Sequence, residues 1–186
     1  MELTQLIQAA QKGDPRAQKL IYDQIGGRIQ GTCLRYVGNQ SDAEEVFHDA
    51  MLRIYMNLGK YRGDSKFTTW ASRIAINTSI DFLRKQRKSP VMESITDNEY
   101  KIADSTTLSE ISLSAEKAIN NLQKLSESHQ TVINLHVIDE LSHKEIANML
   151  GITEQGSRAM LLRAKKALLK ITLESENHHE TIRAIG

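Results

Sequence analysis

The chain has 186 residues, 40% of them hydrophobic and 25% charged, a composition that fits a folded globular protein and excludes a disordered tail. It opens on the acidic stretch Met1-Glu-Leu-Thr, and no run of about 18 apolar residues occurs, so neither a secretory leader nor a membrane span is expected. The formal net charge of +1 conceals a pattern: +5 over residues 1–88, −5 over 89–116, +3 over 117–170 and −2 over 171–186, two basic blocks of the kind a polyanion attracts.

Helical periodicity dominates from the first residues. Leu3, Leu6, Ile7 and Ala10 make one short apolar stripe. Asp14 then predicts a cap and Pro15 the first turn of a second helix, which runs through Leu20, Ile21, Ile25 and Ile29 toward Tyr36. Gly26 and Gly27 predict a kink or break in it, because each glycine costs up to about 1 kcal/mol against alanine. Cys33 is the single cysteine, so no internal disulfide forms and a reducing, cytoplasmic setting is expected, with the thiol as a small buried hydrophobe. Ser41 and Glu44 have the spacing of a capping box at the head of a third helix. Its apolar stripe is Ala43, Val46, Phe47, Ala50, Met51, Ile54, Tyr55 and Leu58, and Glu44, Glu45, His48 and Asp49 fall on the other side. A loop from Gly59 to Lys66 leads into a fourth helix over Phe67–Arg87, which carries Trp70, Ile74, Asn77, Asp81 and Leu83 and ends in the basic run Arg84-Lys-Gln-Arg-Lys88.

Pro90 opens a stretch rich in serine, threonine and acids that lacks periodicity, and residues 89–113 are read as a linker between domains 1–88 and 114–173, with 174–186 as a tail. Beyond the linker, residues 115–122 predict a helix, and Ser126 caps another that runs to Ile138. Ser142 and Glu145 have the spacing of a second capping box. Ile146, Ala147 and Leu150 are the apolar positions of the helix that follows, Leu150-Gly-Ile152 is a turn, and Thr153 caps a last helix ending near Leu169. Strand-like alternation is absent, so the fold class is all-α, two small helical domains.

Ser142 to Thr153 has the order of a helix-turn-helix. Ala147 is small where two helices cross, Gly151 accepts the positive φ of a sharp turn, and Thr153 starts the recognition helix. That helix offers Gln155, Ser157, Arg158 and Leu162 toward base edges and Arg163, Lys165 and Lys166 toward phosphates, with Lys144 beside them. In the first half, the aromatics Tyr61, Phe67 and Trp70 lie among Lys60, Arg62, Lys66 and Arg73, the mixture that holds an unstacked base and its backbone, although Trp70 reads first as a core side chain.

Gly13-Asp-Pro-Arg-Ala17, the run Asp42-Ala-Glu-Glu-Val-Phe-His-Asp-Ala-Met-Leu-Arg-Ile-Tyr55, the run Phe67-Thr-Thr-Trp-Ala-Ser-Arg-Ile-Ala-Ile-Asn77 and Asp81-Phe-Leu-Arg84 together resemble region 2 of extracytoplasmic-function (ECF) sigma factors. Leu122 to Leu168 resembles their region 4. The resemblance implies a subunit that binds core RNA polymerase and directs it to promoters, with no catalytic residue, cofactor or metal. It places Asp42, Glu44, Glu45, Val46, His48, Asp49 and Arg53 against the coiled-coil clamp of the largest polymerase subunit. It assigns the −10 element to Lys60, Tyr61, Arg62, Lys66, Phe67, Trp70, Arg73, Asn77, Arg84 and Lys85. The −35 element goes to Lys144, Thr153, Gln155, Ser157, Arg158, Leu162, Arg163, Lys165 and Lys166. Core polymerase, promoter DNA and an anti-sigma factor are the implied partners, without a small-molecule substrate or membrane insertion.

Two other classes compete. His48-Asp49 is the dipeptide of HD phosphohydrolases, but His48 is the only histidine before the linker and further ligands are wanting. A helix-turn-helix regulator or a sigma-mimicking adaptor shares the C-terminal motif, but a regulator needs no acidic helix beside an aromatic, basic loop. His129, His136 and His143 are spaced by seven, and the expected break near Leu141 separates the last from the others.

Overall fold

The structure, a computed structural model, describes residues 3–86 and 120–185, and among these every regular element is helical. The chain divides into two packed units, Met1–Val91 and Met92–Gly186. Residues 89–113 lie outside the described segments, as does nearly all of the helix expected over 115–122.

Unit 1 is built from α1 (Leu3–Gln11), α2 (Pro15–Val37), α3 (Gln40–Asn57), a tight turn over Leu58–Lys60 and α4 (Phe67–Gln86). Asp14 caps α2 as its position predicts: the Oδ1 atom accepts from the amide N of Arg16 at 2.8 Å. The helix then runs unbroken through Gly26 and Gly27. The helix does not break there because Ile21, Ile25, Ile29 and Cys33 form one buried stripe across the glycines, and burying each isoleucine is worth roughly 1.5–3 kcal/mol, more than the glycine penalty. Gly38, at φ 83°, ends α2 in the left-handed conformation with its N–H on the Leu34 carbonyl.

The cap of α3 is Asn39, whose side chain accepts from the Asp42 amide, so the capping box expected from Ser41 and Glu44 does not form. Both residues stand inside the helix instead. α2 packs on α3 and α4, α3 packs on α4, and α1 closes the end through Gln11, whose Nε2 donates to the Leu58 carbonyl at 2.8 Å.

Unit 2 contains α5 (Glu127–Ile133), α6 (His143–Leu150) and α7 (Glu154–Ile185). Ser126 precedes α5 without a side-chain capping bond, and the helix widens over Asn134–Ile138, where the Asp139 amide reaches back to Asn134 O at 2.9 Å. Glu140 turns the chain at φ 55°, a left-handed conformation costing roughly 1–2 kcal/mol. α5 and α6 both pack on α7 over Val132, Leu135, Ile146, Leu161 and Ala164. α7 does not stop near Leu169 but continues to Ile185, because no glycine or proline interrupts the sequence from Ser157 to Ile185.

Candidate nucleic-acid interface

In unit 1, Glu44, Glu45, His48 and Asp49 are exposed on α3 and Asp42 is half-buried. Val46 is not part of that face: it is 1% exposed and sits in the core, on the inward side of the same helical turns as the acids. Two residues that sequence reasoning passed over complete the outer face. Leu52 is 60% and Met56 76% exposed, and their spacing of seven and eleven from Glu45 sets them in line with Glu45 and Asp49. Their signal in the sequence was an apolar pair off the buried stripe. The face is therefore a short apolar ridge flanked by carboxylates.

Next to it lies a groove of about 290 Å³, lined by Arg53, Asn57 and Lys60 on one side and Trp70, Ile74, Asn77 and Thr78 on the other. The spacing of Trp70, Arg73, Asn77, Asp81 and Arg84 brings these five to one face of α4. An aromatic cluster shapes the rim. Phe67 stacks on Trp70 at 5.6 Å, and Tyr61 meets Phe67 edge-on at 5.3 Å. Phe67 itself is 2% exposed, so it anchors the loop from beneath and offers no ring to DNA, contrary to its expected contact role. The Tyr61 hydroxyl donates to the Ser65 carbonyl at 2.7 Å and closes the loop, on which Lys60, Arg62 and Lys66 are exposed. Trp70 is half-buried, packed on the core and open to the groove. Arg73, Asn77, Arg84 and Lys85 are exposed.

Arg53 departs from its expected place on the docking face. Its guanidinium crosses from Asp49, at 3.0 Å, to Asp81 on α4, at 3.3 Å, and lines the groove. Arg84 reaches the other oxygen of Asp81 at 3.7 Å.

In unit 2 the helix-turn-helix is fully formed. The Ser142 amide donates to Glu145 Oε2 at 2.9 Å and the Ser142 Oγ accepts from the Glu145 amide, which completes the capping box. Gly151 turns the chain at φ 70°, where a side chain would be strained. Thr153 Oγ1 accepts from the Gly156 amide at 3.0 Å and caps α7. Gln155, Arg158, Arg163 and Lys166 are exposed, Leu162 and Lys165 half-buried, and Lys144 exposed on α6. Arg158 pairs with Glu154 at 2.6 Å along the helix.

Ser157 is a correction. It is 0% exposed, and its hydroxyl shares a hydrogen bond with His143 Nδ1 at 3.0 Å, so it joins α7 to α6 and presents nothing to DNA. His136 and His143 are brought together where a separation was expected: the rings stack at 4.5 Å because the turn folds α6 back onto the end of α5. His136 Nδ1 lies 3.0 Å from the Leu141 carbonyl, which only accepts, so that nitrogen carries the proton.

Among the described residues no group of three or more metal-ligating side chains occurs, and no helix is long and apolar enough to cross a membrane. Cys33 is buried, and burial pushes its thiol up to about 11.

Residues 21–89 match the family model for Sigma-70 region 2, and residues 117–168 that for Sigma-70, region 4. The ECF RNA polymerase sigma factor SigW of Bacillus subtilis is 32% identical over 181 residues, covering 91% of this chain and 96% of that protein. The ECF RNA polymerase sigma-E factor of Escherichia coli K12 is 31% identical over 173 residues, 88% of this chain and 90% of that protein. Among solved structures, the sigma factor RpoE bound to the anti-sigma factor NepR from Bartonella quintana superposes with a TM-score of 0.54 at 17% identity, covering 83% of this chain and 95% of that one, and shows the same fold. Matching regions in the same order over nearly the full length of both relatives decide the assignment: the chain belongs to the ECF subfamily of sigma-70-type RNA polymerase sigma factors.

Proposed function

We propose that this chain is the promoter-specificity subunit that core RNA polymerase takes up to initiate transcription, and that it works through three surfaces. The acidic, apolar face of α3, with Asp42, Glu44, Glu45, His48, Asp49, Leu52 and Met56, docks on the coiled-coil clamp of the polymerase. The groove between α3 and α4, with Lys60, Trp70 and Asn77 at its rim and the loop cations beside it, takes the separated strand of the −10 element. The head of α7 enters the major groove at −35, with Gln155, Arg158 and Leu162 toward base edges and Lys144, Arg163, Lys165 and Lys166 toward phosphates. Residues 1–88 and 114–173 are the working domains and 89–113 joins them. The protein performs no reaction of its own and acts in the cytoplasm with the polymerase. An anti-sigma factor is the natural antagonist, as in the RpoE and NepR complex.

The observation that carries this reading is the placement of an acidic, apolar face and a cationic, aromatic groove on adjoining sides of two helices in one packed unit. Transcription in vitro with purified core polymerase and a promoter library tests it. Transcripts starting at a restricted promoter set are expected, and the E45K/D49K variant should lose core binding in a pull-down at moderate salt. Tight, sequence-specific duplex binding by the chain alone, with no polymerase-dependent transcript, would sink it.

A further inference from the structure

Arg53 and Thr78 line both the groove of Trp70 and Asn77 and the smaller neighbouring cavity of about 150 Å³ that Asp49 and Asp81 share, and of the two Arg53 alone is charged. Its Nε and one terminal nitrogen donate to Asp49 at 3.3 and 3.0 Å, and the other terminal nitrogen donates to Asp81 at 3.3 Å. All three guanidinium nitrogens are thus committed to carboxylates, one of them on the face assigned to polymerase. The side chains are 34% (Arg53), 47% (Asp49) and 44% (Asp81) exposed. Pairs this exposed are weak and open readily when a competing charge arrives.

We propose that the Asp49–Arg53–Asp81 bridge is a latch: in the free chain it withholds Arg53 from nucleic acid, and a cationic surface that takes Asp49 releases Arg53 to a phosphate in the groove. This rests on the proposed roles of the α3 face and of the groove. The logic is one of competition. A guanidinium held by two carboxylates is nearly neutralised as a phosphate ligand. When Asp49 accepts a partner's lysine or arginine, two of the three contacts of Arg53 are lost, and the single exposed pair left to Asp81 at 3.3 Å opens to a phosphate in the groove that Arg53 already borders. Polymerase docking and −10 capture are then coupled through a single side chain.

The test uses the full chain, free and bound to core polymerase, with a short fluorescent single strand copied from the −10 region of a promoter found by the transcription assay and a scrambled strand as control. Wild type, D81N, R53A and R53A/D81N are compared, each checked for wild-type helicity. In the free chain D81N should tighten −10 strand binding by about three- to fivefold, the scale of one exposed ion pair. In the R53A background the same change should give no gain. On the polymerase the D81N gain should shrink to less than about twofold, since docking has already opened the latch. An equal gain with and without Arg53 overturns the proposal, because Asp81 then acts only as a repulsive charge near DNA. No gain in the free chain overturns it as well. If no protein, even on the polymerase, prefers the −10 strand to the scrambled one, the groove assignment fails and the latch with it, an outcome distinct from the first two.

Discussion

The stacked pair of His136 and His143 sits where α5, α6 and α7 meet, and the protonation of His143 bears directly on the helix-turn-helix. Burial holds the His143 imidazole below its ordinary value of 6.5; His136, Arg158 and Lys165 push the same way and Glu154 opposes them. His129 is also lowered, by burial and by Arg163. A histidine with a lowered value in the folded state takes up its proton later than in the unfolded chain. Its contribution is therefore intact above about pH 6.5, and stability is lost as pH falls from there through the folded value. NMR-followed thermal unfolding of α5–α7 amides should show a lower midpoint near pH 5 than near pH 7.5, and H143Q should flatten that dependence. A midpoint that moves equally in H143Q would assign the effect to other groups. The base-reading and phosphate-holding roles proposed for α7 separate in the same residue-by-residue way. Arg158→Ala should cost about 1–3 kcal/mol and change preference at a few −35 positions. Lys166→Ala should weaken all promoters alike and lower the salt slope by about one unit. Selection from a promoter library with both variants reads the difference, and a −35 preference altered by Lys166→Ala alone would displace α7 from the groove. Sequence reasoning put Val46, Phe67 and Ser157 on working surfaces because a family motif fixes position along a helix. Which side of the helix the partner elements cover is settled only by packing, and all three point inward.

At the scale of the element, α2 is the instructive case. Gly27 and Gly31 are exposed in its middle, and a Cβ at either would meet nothing within 4 Å. Their cost to the helix is thus not offset by any close approach. G27A and G31A should each stabilise unit 1 by about 0.5–1 kcal/mol, and the double variant should raise its melting midpoint by several degrees in calorimetry. A drop in the midpoint would mean that the bare strip is occupied in the folded protein. The helix boundaries show what local signals leave open. Asn39, Ser41 and Asp42 are all competent caps within four residues, and the chain uses the first, whose side chain accepts from the Asp42 amide. The box at Ser142 and Glu145 was legible, and both of its halves form. The stacking of His136 on His143 was not, since a helical period does not carry across a turn whose angle is set by Glu140 and the core around Leu141.

For the whole molecule, the all-α class and the two basic halves follow from periodicity and charge. The groove does not: Arg53, Asn57 and Lys60 come from the end of α3 and the turn after it, whereas Trp70, Asn77 and Thr78 come from α4, and only the packing of α3 on α4 makes them neighbours. Likewise Asp81 is one acid on a basic helix until its distance to Arg53 is known.

Cys33 carries one more consequence. The chain has a single thiol, it lies in α2 at 0% exposure, and burial raises it to about 11, so near neutral pH it is both hidden and protonated. An alkylating reagent reaches it only when the packing of α2 on its neighbours lets go, and then the thiol reacts with its ordinary acidity near 8.5. The rate of labelling is therefore a clock for the opening of unit 1 alone, blind to whatever happens in the helix-turn-helix. The protein carries its own reporter, with no cysteine introduced, for whether polymerase, DNA or an antagonist tightens or loosens the domain proposed to meet the −10 element.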